Sequence, residues 1–115
     1  VTVTLFRPVG QAELDLIEHS AWTAFPPRLE FQPIFYPVCN RQYADEIAER
    51  WNTKDPASGF VGYVTEFDID ATYLEGFSVQ TVGAGYHQEY WIPSEELANF
   101  NRHIVGPIRV VGEFR

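Results

Sequence analysis

The residues best suited to chemistry stand in one stretch, Gly83-Ala-Gly-Tyr-His-Gln-Glu-Tyr-Trp-Ile-Pro93. A small-residue loop leads there into a predicted short strand that mixes His87, Gln88 and Glu89 with Tyr90 and Trp91. Glu is depleted in strands, so a His-x-Glu pair breaks the local rule, and such breaks gather at functional sites. A period of two puts His87, Glu89 and Trp91 on one face. If the chain does chemistry, Glu89 is the first candidate for it. The competing reading is an edge strand whose Glu89 faces water.

Three more residues join this list. Residues 1–9 read as a strand in which Val1, Val3, Leu5, Arg7 and Val9 share a phase. A charge on a core phase must be paired or must face a cleft, unless the strand is ending and Arg7 snorkels out. Tyr36 lies in Ile34-Phe-Tyr-Pro-Val38, a short strand that Pro37 demotes to an edge or bulge. Edges line clefts, so Tyr36 is a candidate to stack on a ligand ring or else a core aromatic with its hydroxyl outside. Arg28 follows Pro26-Pro27 in the irregular connection of residues 21–33, where it points to an anion or is simply solvated.

The elements that must position these residues follow from local patterns. Residues 11–20 read as a helix with Leu14 and Ile17 inward, and His19 near its C-terminus suits the dipole. Asn40 is a good N-cap for a second helix over residues 41–52. Its Tyr43, Ile47 and Trp51 recur every four residues and read as a core stripe. Residues 59–70 form the longest strand, with Val61, Tyr63, Thr65, Phe67 and Ile69 predicted inward and Glu66, Asp68 and Asp70 on a solvated face. Residues 71–76 read as a turn or one helical turn, and residues 78–82 as a further strand. Ser94 is the predicted N-cap of a short helix running to Phe100 or Asn101; Gly106-Pro107 reads as a turn and residues 108–114 as the last strand. Strands cluster late and do not alternate with helices. That pattern predicts an α+β fold with a largely antiparallel, split or curved sheet and two to three short helices.

Bulk properties exclude several classes. A chain of 115 residues is one domain, residues 1–115, whose core draws on the 16% of aromatic residues. The net charge of -8 and the single lysine, Lys54, argue against duplex nucleic acid, because polyanion binding needs clustered Lys and Arg. No apolar run approaches the ~20 residues of a membrane span, which predicts a cytoplasmic protein with no membrane partner. The three histidines lack zinc-ligand spacing, so no metal is expected. Cys39 precedes a helix N-terminus, where a thiol can become more acidic, although a lone cysteine is more often structural.

Taken in order, Arg7, Tyr36 and Glu89 resemble the ADP-ribosyltransferase-like fold of toxins and related bacterial proteins. Leu5-Phe-Arg-Pro8 before a helix is similar to the family's opening, and Ile34-Phe-Tyr-Pro-Val38 before a helix to its middle. His-Gln-Glu-Tyr-Trp-Ile-Pro-Ser-Glu-Glu-Leu97 resembles its late Glu strand. Almost the whole chain also resembles small bacterial proteins labelled ADP-ribosylation/crystallin J1. The resemblance implies NAD as substrate and no metal. It implies Glu89 at the nicotinamide ribose, His87 orienting the acceptor or taking its proton, Arg7 on the pyrophosphate or the adjacent ribose, and Tyr36 stacked on nicotinamide. Arg28, the anion candidate of the irregular connection, is a further cofactor-binding candidate. The implied partners are a small-molecule nucleotide and either a protein acceptor or a protein partner. Two departures stand out: the middle motif has no Ser-Thr-Ser run, and His87 stands two before Glu89 where Gln or Glu is usual.

Three functions stay open at this point: an NAD-using transferase or glycohydrolase, a binding module for a nucleotide or ADP-ribosyl group, and a protein-interaction domain. The enzyme needs Arg7, Tyr36 and Glu89 around one cleft, whereas the interaction domain predicts Arg7 paired with a surface carboxylate.

Overall fold

The structure, a computed structural model, describes residues 1–115. Along the chain run β1 (Thr2–Val9), α1 (Gln11–His19), β2 (Ile34–Phe35), α2 (Arg41–Arg50), β3 (Gly62–Asp70), α3 (Ala71–Leu74), β4 (Val79–Thr81), β5 (Gln88–Tyr90), β6 (Ile92–Pro93), α4 (Leu97–Arg102) and β7 (Ile104–Phe114). Single 3-10 turns occupy Asn52–Lys54, Pro56–Ser58 and Ser94–Glu96. Helices lie between most of the strands along the chain, contrary to the expected separation, but every strand pairing is antiparallel, so the class is α+β.

The period-two pattern of β3 decides where the core lies. Val61, Tyr63, Thr65, Phe67 and Ile69 are all buried, as their phase predicts. β3 is the middle of a three-stranded sheet, flanked by β1 and β7. Single bridges from Val38 then tie β1 at Phe6 to β5 at Glu89, while β4 pairs with β5 and β2 with β6. Val38 therefore joins the first strand to the late glutamate strand. This bridge sets the distance between Arg7 and Glu89, two residues that lie far apart in sequence.

α2 begins where Asn40 accepts a hydrogen bond from the Tyr43 amide at 2.9 Å, the expected cap. Its closest approach to the sheet runs through Ala44 and Ala48, both fully buried. A Cβ on Gly62 would sit 2.6 Å from the Ala48 carbonyl oxygen, so only glycine lets β3 pass this closely. This corrects the predicted core stripe in part. The alanines make the closest contact, Tyr43 and Ile47 pack against the same core cluster one step around the helix, and only Trp51 leaves the core, 71% exposed.

Other local expectations also change. The last strand starts at Ile104, not 108, because a register shift between Glu66 and Asp68 absorbs Gly106-Pro107 as a bulge. Ser94 does not cap its helix: Pro93 precedes a 3-10 turn, and no side chain accepts from the first amides. Glu66 and Asp68 are not merely solvated, since Arg109 reaches them at 2.8 Å and 3.4 Å.

Acid should weaken this fold. The Thr4 hydroxyl and Arg109 hold the Asp68 carboxyl below its ordinary range. Tyr86 and His87 do the same for Glu46, and Tyr73 and Asn99 for Glu96. Each folded-state pKa is depressed, so the native state binds fewer protons than the unfolded chain. The stabilisation is complete above the ordinary carboxylate pKa and is lost as pH falls through the lowered values. Urea midpoints should therefore hold near pH 7 and drop below about pH 4; a midpoint unchanged at pH 3 would contradict these pairings.

Candidate functional site

Glu89 sits on the central strand position of β5 and is only 8% exposed. The water-facing edge reading is thereby excluded. Both carboxylate oxygens are held: the Tyr43 hydroxyl donates to Oε1 at 2.6 Å and the Trp91 indole Nε1 donates to Oε2 at 3.0 Å. Burial and the adjacent Glu89 push the Tyr43 phenol up, so it stays a donor. The strand phase of β5 supplies Trp91 from the same face, and α2 supplies Tyr43 from its first turn. Each glutamate oxygen keeps a free lone pair for a ligand hydroxyl.

His87 serves this clasp from behind. Its ring stacks on Tyr43, with centroids 4.5 Å apart. Nδ1 accepts from the Ala84 amide at 3.2 Å, so the proton is on Nε2, which faces Glu46 at 2.9 Å. Tyr86 donates to the other oxygen of Glu46. A Cβ on Gly83 would lie 2.5 Å from His87 Nδ1, which explains the small residue that opens this loop. With both nitrogens engaged and no place in the cavity lining, His87 is a brace for Tyr43. That departs from the acceptor-facing role expected of it.

Arg7, also 8% exposed, approaches the same region from β1. Its Nε and Nη2 donate to the two oxygens of Glu13 at 2.7 Å and 3.0 Å, and its guanidinium lies 4.7 Å from the Phe35 ring centroid. Glu13 stands in the first turn of α1, where the helix dipole favours it. Arg28 donates to the Ile34 carbonyl at 3.1 Å. Burial, then the nearby charge of Arg7, lower its pKa. Two guanidiniums thus share one neutralising glutamate.

A cavity of about 330 Å³ brings these parts together, lined by Arg7, Tyr36, Trp51, Asp55 and Glu89 over an apolar floor of Pro8, Val38 and Ile47. A second cavity of about 380 Å³ contains Arg28, Glu13, Pro27 and Leu29, and shares Arg7, Pro8, Asn52 and Asp55 with the first. The two form one cleft with Arg7 at its waist. A wider depression of about 530 Å³ follows the outer face of α2, but Phe114 is its only apolar wall and its charges are solvated. The two-lobed cleft is the better site, since its groups are buried and converge.

Sequence reasoning listed Arg7, Tyr36, Arg28 and Glu89, and all four line this cleft. It missed Trp51, Asn52 and Asp55. Trp51 is 71% exposed and Tyr36 41% exposed, so both present aromatic surface at the cavity. Asp55 is fixed by the Ala57 amide at 2.9 Å and the Ser58 hydroxyl at 3.1 Å. One signal in the sequence pointed here: a Tyr-Ile-Trp stripe beside an alanine pair has a second, closer packing face available. Cys39 is not activated, because burial and the charge of Glu89 push its thiol up. No helix is long and apolar enough to cross a membrane. Comparison with protein-family models, curated proteins and solved structures finds no match to the chain.

Proposed function

We propose that the chain splits the nicotinamide-ribose bond of NAD and passes the ADP-ribosyl group to an acceptor, or to water. One observation carries this reading: Arg7, Tyr36 and Glu89, from three separate segments, line one cavity. The adjoining lobe adds Arg28, giving the cleft an anion-binding waist between two compartments. A dinucleotide has that form, two ring systems joined by a pyrophosphate.

In this mechanism the C–N bond breaks with its electron pair going to the ring nitrogen, and neutral nicotinamide leaves. Positive charge builds on the anomeric carbon and its ring oxygen. Glu89, held rigid by Tyr43 and Trp91, accepts from a ribose hydroxyl and stabilises that charge without reorganising. The acceptor oxygen or nitrogen then bonds to the same carbon, and its proton leaves to solvent. Arg7 holds the pyrophosphate through Nη1, the arm that Glu13 does not occupy, and Tyr36 stacks on the ring.

The Arg7–Glu13 pair is the one expected of a protein-interaction domain; among the readings that use the cleft, the second is a module that holds a nucleotide or ADP-ribosyl group without chemistry. Calorimetric titration with NAD, followed by an assay for free nicotinamide, separates the two. Arg7→Ala should weaken NAD binding by more than about 1 kcal/mol. Binding without nicotinamide release would favour the module. No binding at millimolar NAD would sink both and redirect the search to a protein partner.

A further inference from the structure

Three guanidiniums are wholly or partly buried, and Arg28 is the one among them with no carboxylate partner. Its Nε is engaged by the Ile34 carbonyl at 3.1 Å, and Nη1 and Nη2 have no acceptor. Arg28 lines the second lobe of the cleft and not the first. Burial and then the charge of Arg7 lower its pKa, and Glu13 offsets less than Arg7 imposes. Both oxygens of Glu13 are already bonded to Arg7. The other carboxylate of the lobe, Asp55, is held by the Ala57 amide and the Ser58 hydroxyl. The start of α1 faces the same lobe at Gly10 and Ala12. No side chain caps that helix, and Gly10 cannot gain one, since a Cβ there would lie 2.5 Å from the Ser58 Cα. Uncapped helix amides beside an unpaired guanidinium fork suit a phosphate group.

We infer that the second lobe binds a phosphate monoester on the ribose of the dinucleotide's adenosine half, so that the preferred substrate is NADP. The inference rests on the proposed reading for the ligand's direction: reacting ribose at Glu89, pyrophosphate at Arg7, adenosine ribose in the lobe beyond. Arg7 is the guanidinium that both lobes share, so the pyrophosphate stays with it. Arg28 flanks that waist on the far side, where NAD offers only neutral ribose hydroxyls. A hydroxyl can accept a hydrogen bond, but a phosphate also neutralises the guanidinium. The added group stays away from the breaking C–N bond and is held equally before and during the reaction. Its effect therefore falls on KM and not on kcat.

The test titrates NADP, NAD and inorganic phosphate calorimetrically, at one low salt concentration, into the wild type, Arg28→Gln and Arg28→Lys. NADP should bind on the order of tenfold more tightly than NAD. Arg28→Gln should bring the ratio of the two affinities close to one. Arg28→Lys keeps the charge without the fork and should retain part of the preference. In the nicotinamide-release assay the two dinucleotides should differ in KM and share kcat. NAD binding as tightly as NADP, or a preference that survives Arg28→Gln, overturns this inference and leaves the transferase reading standing. Phosphate binding that Arg28→Gln weakens, with neither dinucleotide bound at millimolar concentration, overturns the dinucleotide reading and keeps the anion site. No binding of any of the three overturns both.

Discussion

Glu89→Gln should reduce nicotinamide release from NAD by about 10²–10³-fold while leaving NAD binding nearly intact. The substitution is a clean test of charge because of how the clasp is built. Trp91 Nε1 can only donate, whereas the Tyr43 hydroxyl can donate or accept. A glutamine at this position can turn its oxygen to the indole and its amide nitrogen to the phenol. Both buried partners stay satisfied, so the fold should lose no more than about 1 kcal/mol. Glu89→Leu would instead leave two buried donors unmet, at a cost of about 1–3 kcal/mol each, and would confuse instability with inactivity. Release that continues unabated in a folded Glu89→Gln protein would remove the glutamate from the chemistry.

The same clasp shows what the sequence could and could not reveal. Strand phase alone put Glu89 and Trp91 on one face and Arg7 among core positions, and those placements reach the cleft. Period two is a rigid consequence of backbone geometry, so it survives packing. A helix stripe carries less information, because neighbouring stripes differ by one step of rotation. Which stripe packs depends on how closely the partner approaches, and here Gly62 admits Ala44 and Ala48. Tyr43 and Trp51 were therefore free to become a clasp and a wall. Asn52 and Asp55 were invisible for another reason: one opens a polar 3-10 turn and the other links it to the next, in a segment that resembles any solvated loop. The bond that brings β1 beside β5 passes through Val38, a residue in no regular strand, and no local pattern announces such a bridge.

Phe67→Ala should destabilise the protein by about 3–5 kcal/mol, a large part of the roughly 5–15 kcal/mol expected of a small domain. Phe67 is fully buried at the middle of β3, opposite Leu5 of β1. Its ring meets Phe25 edge-on with centroids 5.0 Å apart, and Phe100 at 6.0 Å. Phe25 belongs to the irregular connection after α1, and the Asn101 side chain pins its backbone by two hydrogen bonds. Phe100 belongs to α4. These neighbours are anchored from separate elements, so they cannot collapse together into the space left, and the cavity term persists. Trp51→Ala makes the control: a larger aromatic is lost, but from an exposed position, and stability should change by about 0.5 kcal/mol or less. Urea unfolding of the two variants side by side reads the difference directly. A cost under about 1 kcal/mol for Phe67→Ala, or an equal cost for both, would mean that the faces of β3 and α2 are assigned wrongly. The link to function runs through β1, where Leu5 lies two positions before Arg7. Loosening the core under that strand should also blur the placement of the guanidinium, so NAD affinity in Phe67→Ala should fall even below the unfolding temperature.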